Sequence, residues 1–481
     1  MQAVPFIGGS YLARSRNFSA ERCVNLYPEA SGDGQTKSIA MLIGTPGTVL
    51  FAALAGGGVR GCIRFSATQA IVVVGGNVYS VSTAGAGTLI GTIANRASLV
   101  SMASNGIVVM LVTGPEGYVI TPNASTPSLS TIAPISAAAF VGADKVDYID
   151  GYFVFNKPGT GEFQITGLLT TGIDPLDFAT AEGSPDLLVS LIVNQRELWL
   201  LGEGSTEIFF NSGNADFPFE RIQGAFLEQG CAAKFSVAKL NETVFWLTAD
   251  DRGQGMVVMT VGYRTQRIST HAVEFAWAQY SRIDDAFAYT YQQEGHSFYV
   301  LTFPTGNATW AYDASTQLWH KRAWRNPVDA SLNRHRSSCQ MAFAGKVIVG
   351  DFENGNLYQL NLDAYDDIGV PLPAIRQAPH FASADNHWMI FDRFWVDLEA
   401  GVGLNLGQGS DPQLIIEWSD DGGHTFPNQQ SISMGKVGDY RHRAVLRRAG
   451  KSRDRVWRVT ISDPMKRTLI GAGATTRSCS A

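Results

Sequence analysis

Paired aspartates are the residues of this sequence whose type and spacing best suit chemistry. Four pairs occur, at 250–251, 284–285, 366–367 and 420–421. Two close carboxylates can act as the acid and the base of a glycosidase, or can hold a calcium ion. None of the pairs lies in a D-x-[DN]-x-[DN]-G calcium loop, and each borders residues typical of turns. The pairs therefore favour turn chemistry over a catalytic or metal site.

The other chemically useful residues form no recognisable motif. The eight histidines are scattered, and His380 and His387 have no ligand spacing that we recognise. The sequence contains no H-E-x-x-H, G-x-S-x-G or Walker A motif. Its five cysteines include no C-x-x-C pair, and their odd number argues against a disulfide framework or a zinc ribbon. We therefore expect buried, reduced thiols and predict no catalytic residue, no metal ion and no cofactor.

One short segment has a specific structural signature. Residues 419–426 fit the Asp-box pattern S-x-D-x-G-x-T-W, with Phe in place of Trp. In such a turn the Ser and Asp side chains bond to local backbone and the glycine permits positive φ. The pattern predicts a stapled hairpin turn formed by Ser419, Asp421, Gly423, Thr425 and Phe426. The turn itself is not catalytic, although sialidases also carry it.

The elements that must position these residues repeat along the chain. Seven short apolar runs, rich in β-branched or aromatic residues, are each followed by a turn and a second strand-like stretch. The runs are Ile71–Val74, Ile107–Val112, Tyr152–Phe155, Leu198–Leu201, Val244–Leu247, Phe298–Leu301 and Val347–Val349. Strand units of about 40–50 residues have the period of propeller blades. The sequence therefore predicts an all-β protein with a β-propeller of about seven blades; a large β-sandwich or a β-helix is the alternative.

The repeat divides the chain into three parts. Residues 1–56 show little alternation and predict an N-terminal extended arm. Residues 57–375 form the predicted β-propeller. After that the repeat stops, and Leu414, Ile416 and Trp418 alternate with more polar neighbours, which is typical of strands with one buried face. Residues 376–481 therefore predict a C-terminal β-sandwich that carries the Asp-box-like hairpin.

Charge is unevenly distributed. The formal net charge of −6 gives no bulk attraction to nucleic acid or to an anionic membrane. Residues 436–467, however, hold eleven Lys and Arg against three Asp, a net of +8. A hairpin whose arginines pair within their own domain would explain this, as would contact with an acidic partner protein or, second, with DNA. Arg447, Arg448 and Lys451 flank Gly450 at a predicted turn and are the candidate partner-facing basic patch.

Both ends of the chain resemble a known family. The segment Arg22-Cys23-Val24-Asn25-Leu26-Tyr27-Pro28-Glu29, with the later Pro46-Gly47, resembles the start of the packaged-DNA stabilisation proteins of short-tailed bacteriophages, also called tail hub or nozzle proteins. Trp418-Ser419-Asp420-Asp421-Gly422-Gly423, followed by Gly435-Lys436 and Arg453-Asp454-Arg455, resembles a stretch common in phage tail proteins. The length and the repeat content of the middle are compatible with the same family.

The resemblance implies a structural, non-enzymatic virion protein. Members form a homohexameric ring below the portal and its adaptor ring, retain packaged DNA, hold the tail needle or plug, and become a conduit for DNA on ejection. Tailspike or tail fibre proteins are the implied neighbours. No signal peptide or membrane-spanning run is visible, so synthesis in the host cytoplasm and no membrane insertion are expected.

Two other functional classes stay open at this point. A sialidase-like or capsule-degrading glycosidase shares the propeller and the Asp-box, but it requires an arginine cluster and a tyrosine nucleophile at the propeller axis. A kelch-like interaction module is the second alternative, because Tyr312-Asp313, Thr316 and Trp319 resemble the Y-D-x-x-T-x-x-W stretch of kelch-type blades.

Overall fold

The computed structural model describes residues 2–32, 37–136, 138–383, 385 and 387–479, without the side chain of Cys479. The regular secondary structure of this part of the chain is almost entirely β-strand; its helical elements are α1 (His271–Trp277) and a short 3-10 turn (Pro127–Leu129). Neither is long and apolar enough to cross a membrane.

The N-terminal segment forms six strands. They are β1 (Gln2–Val4), β2 (Tyr11–Leu12), β3 (Ala20–Val24), β4 (Leu26–Ala30), β5 (Ala40–Gly44) and β6 (Gly47–Ala53). Most of their partners lie hundreds of residues later in the chain, as described below.

Five four-stranded antiparallel sheets follow, each built from consecutive strands. Blade one contains β7 (Val59–Arg64), β8 (Gln69–Val74), β9 (Asn77–Ser82) and β10 (Gly87–Thr92). Blade two contains β11 (Ser101–Ser104), β12 (Val109–Val112), β13 (Gly117–Thr121) and β14 (Thr131–Pro134). Blade three contains β15 (Val146–Ile149), β16 (Tyr152–Asn156), β17 (Glu162–Ile165) and β18 (Phe178–Thr180). Blade four contains β19 (Leu188–Asn194), β20 (Glu197–Gly202), β21 (Thr206–Asn211) and β22 (Phe219–Leu227). Blade five contains β23 (Ala238–Leu240), β24 (Thr243–Ala249), β25 (Gly255–Thr260) and β26 (Thr265–Arg267).

Blade six follows α1 and also has four consecutive strands. They are β27 (Phe287–Gln293), β28 (His296–Phe303), β29 (Ala308–Asp313) and β30 (Leu318–Arg325), with β31 (Leu332–Arg334) paired to β30. The kelch-like stretch lies here. Asp313 is buried, and its Oδ2 accepts a hydrogen bond from Thr316 Oγ1 (2.8 Å). The same oxygen lies 2.8 Å from Nδ1 of His296. This stretch therefore staples the β29–β30 turn to the start of β28.

The last sheet of the ring is composite. The end of the propeller sequence supplies β32 (Ser337–Phe343), β33 (Lys346–Asp351) and β34 (Asn356–Asn361). Its outer strand is β6, which pairs antiparallel with β34, and a small hairpin of β35 (Asp366–Asp367) and β36 (Val370–Pro371) extends the same sheet. Because β32 packs beside β7 of blade one, this sheet closes the ring.

The propeller prediction is confirmed, and the blade number is corrected. Six blades consist of four consecutive strands, whereas the seventh predicted unit supplies only three strands and completes its sheet with β6. The predicted count of about seven complete units therefore becomes six blades and one composite closing sheet. The physical reason is closure: joining first and last strands in one sheet leaves no open edge between the two ends of the ring.

The apolar runs in the sequence mark one position in every sheet. Each run falls on the second strand, from β8 in blade one to β33 in the composite sheet. A second strand has neighbours on both sides and adjacent sheets above and below, so both of its faces are buried. All six residues of β8 are buried, as are all four of β12.

The C-terminal part forms two packed sheets. Its strands are β37 (Ala374–Gln377), β38 (Phe381–Ala382), β39 (Trp388–Leu398), β40 (Gln413–Ser419), β41 (Asn428–Ser433), β42 (Ala444–Arg447), β43 (Lys451–Ser452), β44 (Asp454–Ile461) and β45 (Thr468–Cys479). One sheet has the order β4-β5-β45-β39-β42, with β1 and β43 at its sides. The other runs β3-β37-β44-β40-β41 and continues through β3 into blade six. The buried Trp457 ring stacks on Phe394 between the sheets, with ring centroids 4.0 Å apart, so the predicted sandwich is confirmed.

The predicted arm of residues 1–56 has no core of its own, and its strands complete both larger units. The strands β1, β4 and β5 join one sandwich sheet, β3 joins the other, and β6 joins the propeller. Tyr27 of β4 is buried against Tyr291 and Phe298 of blade six. The sandwich is thereby seated against blade six and the composite sheet.

Candidate partner-facing surface of the C-terminal unit

The Asp-box-like turn joins β40 to β41 through a local network of hydrogen bonds. Ser419 Oγ donates to Asp421 Oδ1 (2.5 Å) and accepts from the backbone N–H of Gly423 (2.8 Å). The Asp421 carboxylate accepts from the backbone N–H groups of His424 (3.0 Å) and Thr425 (2.9 Å), and from the Thr425 hydroxyl (2.6 Å). Gly423 adopts a φ of +85°, which favours glycine. These residues therefore fix the shape of the hairpin.

The charge on Asp421 belongs to this network. Burial raises the pKa of Asp421, but the hydrogen bonds from Ser419 and Thr425 outweigh it and hold the pKa well below its usual range. Phe426 lies under the guanidinium of Arg458, whose Cζ is 3.8 Å from the ring centroid. Arg458 in turn donates to Glu417 on β40. Both ends of the turn are thus tied to the neighbouring strands.

The other aspartate pairs also have structural partners. Asp250 accepts from the backbone N–H of Gln254 (2.8 Å), and Asp285 accepts from the hydroxyl of Thr305 (2.6 Å). Asp367 differs from the prediction, because it is a buried strand residue rather than a turn residue. It accepts from Thr48 Oγ1 (3.0 Å), and burial raises its pKa to about 6. No group of three or more His, Cys, Asp or Glu side chains among the described residues is arranged to hold a metal ion.

The basic stretch of residues 436–467 separates into two groups. Four of its cations form ion pairs within the unit: Arg443 with Asp397, Arg455 with Asp420, Arg458 with Glu417, and Lys466 with Glu399. Arg467 is buried and donates to the backbone carbonyl of Leu372. Arg447, Arg448 and Lys451 are exposed and have no ion pair with any described residue. Pairing within the unit therefore accounts for part of the basic stretch and leaves out the candidate patch.

The unpaired cations share one edge of a sheet. Arg447 ends β42, Arg448 follows it with φ of +57°, and Lys451 begins β43 after the turn at Gly450. Both strands pair with β39, where Arg393 lies directly opposite Arg447 in the register. We call Arg393, Arg447, Arg448, Lys451 and Arg453 the basic edge. All five side chains are exposed.

One tryptophan lines this edge, and a second lies further into the same sheet; neither was predicted from the sequence. The ring of Trp388 lies near Lys451 Nζ and Arg453 Cζ, each 5.1 Å from its centroid. Trp395, two positions beyond Arg393 in the half-exposed register of β39, lies over Gly473 of β45. The signal in the sequence is the alternation of β39, in which Met389, Phe391, Phe394 and Val396 are buried and the residues between them are not.

The basic edge lies far from the propeller. In the sheet order β4-β5-β45-β39-β42, β4 packs against blade six and β42 is at the opposite end. At about 4.8 Å per strand, the edge stands roughly 19 Å from β4. A cationic and aromatic surface in that position is presented outward, away from the rest of its own chain.

The sequence matches two family models in succession. Residues 2–365 match the model described as bacteriophage P22 Gp10, beta-propeller, and residues 375–477 match the model described as bacteriophage P22 Gp10, beta-sandwich. No curated protein matches the sequence.

Solved propeller structures are similar at low identity. The WD40 beta propeller domain of Doa1 is 10% identical with a TM-score of 0.40, covering 65% of this chain and 97% of that chain. PorZ of Porphyromonas gingivalis is 12% identical with a TM-score of 0.40, covering 65% of this chain and 38% of PorZ. YCF48 bound to D1 peptide is 9% identical with a TM-score of 0.39, covering 66% and 99%.

The two family models cover the propeller and the sandwich in the order in which the structure contains them. The chain therefore belongs to the bacteriophage P22 Gp10 family of structural phage tail proteins that stabilise packaged DNA.

Proposed function

We propose that the protein forms a six-membered ring in the short tail, directly below the portal and its adaptor ring. In that position it closes the channel after packaging, retains the genome and holds the tail needle or plug. Tailspike or tail fibre proteins are its lateral neighbours. On infection the ring becomes part of the conduit through which DNA leaves. The chain is made in the host cytoplasm and enters the virion by assembly.

The observation that supports this proposal is the match of both units to one phage family over residues 2–365 and 375–477. A ring requires two different surfaces on each copy that meet through a rotation which closes on itself. The propeller and the outward edge of the sandwich sheet offer two such surfaces.

The basic edge supports a role in protein contact. Arg393 and Arg447 lie directly opposite each other on neighbouring strands, and like charges in this position destabilise a sheet. An acidic partner surface would relieve this repulsion. DNA is the weaker candidate, because a genome that must slide through the channel would be held tightly by exposed cations.

The ring is tested by mixing the purified protein with portal–adaptor complexes. We expect light scattering to show a largely monomeric free protein, and electron microscopy to show a six-fold ring stacked below the adaptor after mixing. A protein that stays monomeric and does not bind these complexes at any salt concentration would contradict the proposal.

The protein is proposed to act without catalysis. Incubation with capsular polysaccharide, lipopolysaccharide and sialosides is expected to release no reducing sugar. Turnover of about 1 per second or more, lost on substitution of an aspartate or a tyrosine, would instead support the glycosidase alternative.

A further inference from the structure

The propeller carries its own charge asymmetry. Residues 162–228, which form most of blades three and four, hold eleven Asp and Glu against two Arg, a net of −9. This nearly mirrors the net of +8 in residues 436–467. The protein therefore has one strongly acidic region and one strongly basic region, and these lie in different units.

The unpaired carboxylates of this acidic region include a coherent group at one corner of blade four. Glu182, Glu203 and Glu228 are exposed, and none forms an ion pair with a described residue. The backbone N–H of Glu203 donates to the carbonyl of Leu187 (3.0 Å), which brings the 181–187 connection beside the β20–β21 turn. Glu228 directly follows β22, the outer strand of the blade. We call Glu182, Glu203 and Glu228 the acidic corner.

Apolar surface accompanies these carboxylates. Leu187 is 44% exposed and Phe226, at the end of β22, is 40% exposed. An apolar centre with a charged rim is the usual composition of a protein–protein contact. The basic edge has a comparable composition, with the ring of Trp388 beside Lys451 and Arg453.

The ring order separates the two charged surfaces within one copy. Neighbouring inner strands connect blade one to two, two to three, three to four, five to six, six to the composite sheet, and that sheet to blade one. Side-chain hydrogen bonds from Ser190 and Asn194 to the backbone of blade five complete the circle between blades four and five. Blade four, which carries the acidic corner, is two steps from blade six and three steps from the composite sheet. At least one blade therefore separates the acidic corner from the two sheets on which the sandwich is seated, and the basic edge lies at the far end of the sandwich sheet from blade six.

Opposite charges that are separated in this way do not pair within one copy, but they can pair between copies. A head-to-tail contact of this type is heterologous, and it generates a ring when the rotation closes. Resting on the ring proposed above, we propose that the basic edge of one copy binds the acidic corner of the next copy. The occupant of the basic edge is thus a second copy of this chain.

Charge reversal tests the contact directly. The variant R447E/R448E/K451E reverses the basic edge, and E182K/E203K/E228K reverses the acidic corner. The matched control R64E/R264E/K346E changes three exposed cations on blades one and five and on the composite sheet. Circular dichroism and thermal melting check that each variant folds, since surface changes usually have small effects on stability.

Sedimentation velocity of concentrated protein at low salt measures self-association without any tail component. Each of the two triple variants, measured alone, is expected to weaken self-association about tenfold or more, because close interfacial charge pairs are strongly coupled. The effect should shrink as salt screens the charges. The control variant should associate like the wild type. Equal association of wild type and both reversal variants would overturn the proposal.

Complementation gives a second, sharper result. In a 1:1 mixture, the reversed edge of one variant faces the reversed corner of the other, and the remaining wild-type surfaces also match. The mixture should therefore associate although neither variant does alone, and it should close only rings with an even number of copies. A mixture that stays dissociated would contradict the pairing of these two surfaces.

The outcomes separate this contact from the proposed ring function. If wild-type rings form on portal–adaptor complexes and neither reversal affects them, the contact is wrong and the function stands. If the charge-dependent self-association occurs but no ring forms on those complexes, the contact stands and the function is wrong. If reversal of the basic edge abolishes binding of duplex DNA and leaves self-association unchanged, the edge is a DNA surface and the proposal is overturned.

Discussion

Among the residues of the N-terminal segment, Asn25 is the one whose substitution we expect to lower stability most. It is fully buried, and its amide makes three hydrogen bonds across units. Nδ2 donates to the carbonyls of Ala323 and Pro373 (both 2.9 Å), and Oδ1 accepts from the backbone N–H of Ala323 (2.8 Å). One amide thus joins the N-terminal segment, blade six and the start of the sandwich.

Asn25→Ala is expected to be severely destabilising. It leaves three buried backbone groups without partners, and each such loss costs about 1–3 kcal/mol. Asn25 also has a φ of +52°, a left-handed conformation that asparagine tolerates and that costs alanine about 1–2 kcal/mol. The free energy of unfolding should therefore fall by at least about 4 kcal/mol.

Urea unfolding followed by tryptophan fluorescence measures this loss of stability. A glycine variant separates the backbone cost from the loss of hydrogen bonds, and a second asparagine serves as the control. Asn25→Gly loses the same hydrogen bonds but relieves the backbone, so it should be about 1 kcal/mol more stable than Asn25→Ala. Asn214→Ala, at an exposed loop residue whose side chain accepts a hydrogen bond from the backbone N–H of Asp216, is the control and should change little. A loss below about 1 kcal/mol for Asn25→Ala would refute the reasoning, as would a glycine variant less stable than the alanine variant.

Three further predictions test other parts of the fold. Gly473→Ala places a Cβ 2.3 Å from the Trp395 ring and should lower the free energy of unfolding in urea by about 1–3 kcal/mol. Gly471→Ala, with no atom within 4 Å of the new Cβ, should leave it unchanged, and equal effects of the two substitutions would contradict this packing. The pKa of Asp421 is held low in the fold, so its charge stabilises above about pH 4 and this contribution is lost as pH falls; Asp421→Asn should lower the thermal midpoint at pH 7, and a midpoint difference from wild type that does not shrink in acid would count against the network. The hydrogen bond to Asp313 raises the pKa of His296, so the protonated imidazole stabilises the fold fully below about pH 6.5, and this contribution is lost as pH rises. His296→Gln should therefore reduce the difference in melting temperature between pH 6 and pH 8, and an unchanged difference would exclude the His296–Asp313 pair as its source.

Local sequence patterns predicted the strands well, because buried positions in a strand recur every residue or every second residue along the chain. The apolar runs identified the second strand of every sheet, since that strand is covered on both faces. The alternation of Leu414, Ile416 and Trp418 likewise indicated a sandwich strand. The Asp-box pattern indicated its turn because all of its hydrogen bonds lie within a few residues.

Long-range pairing could not be predicted in the same way. Nothing in residues 47–53 shows that they complete a sheet begun by residues 337–361, because strand pairing depends on backbone groups that every residue shares. The division of the basic stretch was equally hidden. Arg455 and Arg447 are both arginines in predicted strands, and only the packing shows that Asp420 neutralises the first and that the second stays exposed. Cys62 and Cys339, expected as separate buried thiols, prove to be half-buried with sulfurs 3.2 Å apart at the seam between blade one and the composite sheet.

The pairing of β6 with β34 has a consequence for how the chain is made. During synthesis, the first 53 residues emerge long before the strands that they complete, so β6 must wait without a partner until residue 361 has left the ribosome. Strands β4 and β5 wait longer still, for β45 at the C-terminus. Blades one to five can form as they emerge, the ring can close once β34 has emerged, and the sandwich is completed only when β45 follows more than 100 residues later. A fragment that ends between residues 365 and 375 could therefore close its ring but would leave β1 and β5 without β45 and open to pairing with other chains.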